Sequence, residues 1–117
     1  MMSKREKNIC EMIKGNKAVI KECLYSESKY VRMDSLLWTA YHKFSDPEII
    51  ERIIELKSDD SVLSGYTVGN YAIAALDALN IEKYSGDDDF QQDLIAEFTP
   101  TELQAESFLE QCGELNN

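Results

Sequence analysis

The chain has 117 residues, 44% of them hydrophobic, and a formal net charge of −10. That length and apolar share suit a single domain spanning 1–117 with its own core, and argue against a disordered chain. The charge is split, +3 over residues 1–25 and −13 over residues 26–117, a field that repels nucleic acid and anionic lipid and attracts a basic surface, unless it serves solubility alone.

The N-terminal stretch MMSKREKNICEMIKG has only scattered apolar residues after its basic start, unlike a secretory signal. Ser3–Lys14 instead predicts a helix with Ile9, Met12 and Ile13 on one face and Gly15 as C-cap. Asn16 caps a short second helix reaching Leu24, with Val19, Ile20, Cys23 and Leu24 inward. A longer helix follows from Lys29 to Phe44. Its apolar face is Met33, Leu36, Leu37, Ala40, Tyr41 and Phe44, with Val31 and Trp38 as a second, smaller strip.

Ser45-Asp46-Pro47-Glu48 is the clearest helix start: Asp46 as cap, Pro47 at the first helical position, Glu48 at the positive end of the dipole. Ile49, Ile50, Ile53, Ile54 and Leu56 form the inner face of this fourth helix, and Glu48, Glu51 and Glu55 its outer ridge. Asp59-Asp60-Ser61 then caps a central helix over Ser61–Asn80, rich in small residues and carrying one charge, Asp77. Val68, Ala72, Ala75, Leu76 and Leu79 share a face there, and Gly65 and Gly69 are read as close-packing positions. Thr67, Asn70 and Asp77 interrupt this apolar-rich run, so no membrane span is expected.

Ile81–Gly86 reads as a loop, and Asp87-Asp88-Asp89 starts a sixth helix reaching about Glu97, with Phe90, Leu94, Ile95 and Phe98 apolar. Thr99-Pro100-Thr101-Glu102 starts a seventh in a capping-box pattern, ending near Gly113. No alternating β-branched run marks a strand. The fold class is all-α. Cys10, Cys23 and Cys112, odd in number and unrelated in spacing, point to reduced thiols and a cytoplasmic location.

Shifting the sequence by 35 residues lays Met33 on Val68, Leu37 on Ala72, Ala40 on Ala75, Tyr41 on Leu76 and Phe44 on Leu79. Each of these two helices precedes a short acidic one. The stretch 28–98 resembles HEAT-like repeats, which implies about seven helices in an antiparallel α-solenoid.

Signs of catalysis are few. His42 is the single histidine, too few for a histidine-based zinc site or catalytic triad, and reads as a helix-surface residue. Asp87-Asp88-Asp89 lacks the glycine and distal glutamate of an EF-hand loop. Neither an enzyme nor a cofactor is indicated. Carboxylates do recur every fourth residue: Glu51 and Glu55; Asp89, Asp93 and Glu97; Glu102, Glu106, Glu110 and Glu114. Like charges at that spacing cost a helix a few tenths of a kcal/mol per pair, which a basic partner offsets; solubility is the other explanation.

On the central helix Tyr66, Asn70 and Asp77 line up opposite the core face, either as a recognition strip or as residues under a neighbouring helix. Small size, acidity and HEAT-like stacking together resemble bacterial toxin-immunity proteins, including those of contact-dependent growth inhibition. The resemblance implies a basic protein toxin as partner, with a cationic nuclease active site the favoured target, and no nucleic acid or membrane. A HEAT-like scaffold or adaptor with no toxin partner is the alternative. The expected contact residues are Tyr66, Asn70, Asp77, Glu48, Glu51, Glu55, Asp59, Asp60, Asp87, Asp88, Asp89 and Asp93.

Overall fold

The computed structural model describes residues 2–115, with side-chain surroundings through 113. It contains seven helices and one small hairpin among those residues. Helix α1 (Lys4–Ile13) starts in a reciprocal cap, Ser3 Oγ accepting from the Glu6 amide while Glu6 accepts from the Ser3 amide. Asn16 caps α2 (Lys17–Cys23) through the Val19 amide, and Ser28 caps α3 (Lys29–His42) through that of Val31.

Helix α4 (Pro47–Leu56) begins where Pro47 predicts, but Asp46 makes no side-chain cap bond. Its carboxylate is drawn instead to Lys17 Nζ, 3.0 Å away. Ile49, Ile53 and Leu56 are buried while Ile54 is exposed, so the inner face is narrower than five residues. On α3, Val31 and Trp38 are core residues, and Met33, Leu37 and Tyr41 are only half-buried.

The expected central helix is shorter than Ser61–Asn80. Its first third is an antiparallel hairpin, β1 (Val62–Leu63) with β2 (Tyr66–Thr67), paired Val62 to Thr67 and Leu63 to Tyr66. Ser64 and Gly65 both take positive φ, +42° and +97°, the pattern of a two-residue hairpin turn with glycine where an L side chain is strained. Gly65 is therefore a turn residue. Asp59 and Asp60 consequently do not cap the helix; Thr67 does, through the Asn70 amide.

Helix α5 (Val68–Ala78) is the centre of the fold, with Val68, Ala72, Ala74, Ala75 and Leu76 fully buried. Helices α3 and α4 and then α6 (Asp89–Ala96) all pack on it. Small residues permit that approach: a Cβ on Gly69 would lie 2.5 Å from the Lys57 carbonyl oxygen. Helix α7 (Glu102–Leu115) follows a reciprocal cap between Thr101 and Gln104, two residues later than the Thr99–Glu102 box the sequence suggests. It turns back and packs on α1. There Cys10 and Cys112 form a disulfide, against the expectation of three free thiols; Cys23 alone is free, and buried. The pairing joins residues 102 apart, a proximity only the packing of the last helix on the first creates.

Candidate functional site

Of the twelve residues expected at an interface, Tyr66 and Asp93 line one groove where α6 meets the hairpin, and Asp87, Asp88 and Asp89 lie at the start of α6. Asp87, Asp88, Asp89 and Asp93 are all exposed, and Asp88 caps α6 by accepting from the Phe90 amide at 3.0 Å. Phe90 is not the core residue its helical position suggests. It is 64% exposed and is flanked in the chain by these carboxylates, with its ring 5.8 Å from that of Tyr66. The rings continue from Tyr66 to Tyr71 at 6.1 Å and from Tyr71 to Phe98 at 5.9 Å. Burial pushes the Tyr71 hydroxyl up, and neighbouring Tyr66 adds to it.

Gln91 explains the rotation of α6. It is buried, donates to the Asn70 backbone oxygen at 3.0 Å and accepts from Asn70 Nδ2 at 2.8 Å. A polar residue turned inward moves Phe90 outward, since adjacent helical positions are about 100° apart. Asn70 is engaged in this link through Nδ2 and in the cap with Thr67 through Oδ1. It holds α6 on α5 and has little left to offer a partner. Tyr66 lies on β2, not on the helix with Asn70 and Asp77.

The other expected carboxylates have partners within the chain. Asp77 accepts from the Tyr84 amide at 2.9 Å and from Lys83 Nζ at 3.3 Å, which folds the loop after α5. Asp59 accepts from Arg32 Nε and the Ser61 amide, both at 3.0 Å. Desolvation pushes its carboxyl up, but the bonds from Ser61 and the charge of Arg32 outweigh it and leave the carboxyl lowered. Glu48 pairs with Lys21 at 3.0 Å and Glu55 with Arg52 at 3.6 Å. Glu51 and Asp60 are exposed, Glu51 beside a cavity it shares with Lys21 and Arg52. Thus two of the three glutamates of α4 are met by bases, Lys21 of α2 and its own Arg52. On α6, no lysine or arginine among the described residues pairs with Asp87, Asp88, Asp89 or Asp93.

Among the described residues no group of three or more histidine, cysteine, aspartate or glutamate side chains is disposed to hold a metal, the Asp87-Asp88-Asp89 run included. His42 is half-buried, stacks on Phe44 and lies 2.7 Å from the Met12 carbonyl oxygen, tying the end of α3 to α1. No helix among the described residues is long and apolar enough to cross a membrane.

No family model, curated protein or solved structure matches this chain. Sequence reasoning missed Phe90 and Gln91; the signal available was an apolar residue directly after three aspartates and before two glutamines, a setting that favours the surface.

Proposed function

We propose that this chain is a protein-binding module that neutralises a basic protein, in the manner of an immunity protein covering the cationic active-site region of a nuclease toxin. The observation that carries the reading is Phe90, an exposed aromatic ring flanked in the chain by four carboxylates to which no cation of the described residues is paired. Interfaces concentrate energy in aromatic anchors ringed by polar groups. Charges unsatisfied in the free protein are those a cationic partner satisfies on binding. The HEAT-like stacking of α3 to α6 belongs to this reading, as the scaffold that displays the α6 face, and so does a cytoplasmic site of action.

Coexpression with the protein encoded by the adjacent gene tests it. That protein should be toxic alone and harmless with this chain, and the complex should weaken at least about tenfold on going from about 50 mM to about 0.5 M salt, where screening is nearly complete beyond contact distance. Replacing Phe90 with Ala should cost about 2 kcal/mol of binding. A harmless neighbour, or a complex indifferent to both salt and Phe90, would sink the reading.

A further inference from the structure

Helices α3 and α6 both pack on α5, and a groove of about 730 Å³ opens between them. Met33 and Leu37, one turn apart on α3, form its apolar wall; Tyr66 and Tyr71 add two rings, and Asp93 of α6 and Glu97, the residue that ends that helix, also line it. We propose that this groove receives an arginine side chain of the partner. The inference rests on the functional reading above and specifies which residue the α6 face recognises.

The chemistry selects arginine over other cations. A planar guanidinium lies over aromatic rings and forks toward carboxylates, and its three-methylene stem covers apolar surface. A lysine ammonium carries a compact, strongly hydrated charge and stacks less well. The chain itself holds one arginine between a ring and a carboxylate. On α4, the Arg52 guanidinium lies 4.3 Å from the Tyr25 ring centroid, with Glu55 3.6 Å from its Nη1. In the groove the rings and carboxylates recur, but no arginine or lysine of the described residues lies over Tyr66 or Tyr71 or pairs with Asp93 or Glu97. Charge complementarity and a lining of rings, carboxylates and apolar side chains together name the occupant.

The test is an NMR titration of the full chain with a blocked Gly-Arg-Gly peptide, beside its citrulline and lysine counterparts. Citrulline keeps the shape of arginine and removes its charge. Saturable shifts are expected at the amides of Tyr66, Tyr71, Leu94 and Phe98, with a dissociation constant on the order of millimolar. Citrulline should bind at least about fivefold more weakly, as should arginine to the Asp93→Asn/Glu97→Gln variant, a change of about 1 kcal/mol. Both substituted positions are exposed, so the variant keeps its fold. Equal binding of arginine and lysine spread over all the acidic ridges, or no shift at Tyr66 and Tyr71, would overturn the assignment. If the adjacent-gene protein is neutralised but arginine does not bind, only the groove assignment falls. If arginine binds and no neutralisation occurs, only the immunity reading falls.

Discussion

Asp34 is the residue at which this chain departs furthest from the rule that charge stays outside. It is 4% exposed on α3 and bonded at 2.9 and 3.0 Å by Arg5 of α1. Burial pushes its carboxyl up by more than Arg5 pulls it down, so it ends raised. A carboxyl raised in the fold binds protons more readily folded than unfolded. Its contribution to stability is therefore fullest at low pH and declines as pH rises from the unfolded value, near 3.9, through the folded one. Arg5→Ala leaves that charge buried without its partner. Breaking a buried pair costs about 3–5 kcal/mol, but Arg5 is half-exposed and solvent screens it, so about 2 kcal/mol is expected at pH 7. Urea unfolding at pH 7 and pH 4 checks the sign: the deficit against the parent chain should shrink at pH 4, because a carboxyl raised by burial takes up its proton more readily as pH falls. A deficit unchanged by pH would mean that Arg5 acts through its packing.

At the scale of elements, α5 and α7 are held in opposite ways. Helix α5 is buried against three helices and tolerates no growth at Gly69, whose amide donates to the Asp59 carbonyl at 2.8 Å. A methyl there meets backbone oxygens of Lys57 and Asp59, and Gly69→Ala should cost about 1–3 kcal/mol by overpacking. Gly113→Ala on α7 meets nothing within 4 Å and should stabilise by about 0.5–1 kcal/mol through helix propensity. Thermal unfolding of both variants reads the contrast, and similar shifts would refute it. Helix α7 itself leans on the Cys10–Cys112 bond, buried Ala105, and the edge of Phe108 against Trp38; among the described residues it makes no ion pair. Closing a loop of about 100 residues is worth about 4–5 kcal/mol in the chain-entropy account, with about 2–5 usually measured. Reduction, or Cys112→Ser, should lower stability by about 2–5 kcal/mol and accelerate amide exchange in α7 well before α3 and α5. Uniform acceleration along the chain would show that α7 is an integral part of the core.

Across the whole molecule the long axis is 46 Å against 26 Å for the other two, and α7 packs back on α1. The helical class, six of the seven starting regions and the burial of Val68, Ala72, Ala75 and Leu76 are legible in the sequence. Caps and apolar periodicity act within about four residues, and the chain spells them out locally. The hairpin at 62–67 was hidden because strands of two residues have no period to detect; Ser64-Gly65 was its only mark. Which carboxylates stay unpaired was likewise beyond local reading. Asp59 meets Arg32 from 27 residues away and Gln91 meets Asn70 from 21, and no spacing rule reaches that far. The sequence by itself determined a helical chain with an acidic exterior and a small-residue centre, because propensity, capping and net charge are properties of neighbours. The tertiary structure alone decided that Cys10 meets Cys112, that Gln91 turns in and Phe90 out, and that the acids of α6 face solvent with no cation of the described residues paired to them. Those outcomes depend on which surfaces pack together, and packing is settled between distant parts of the chain.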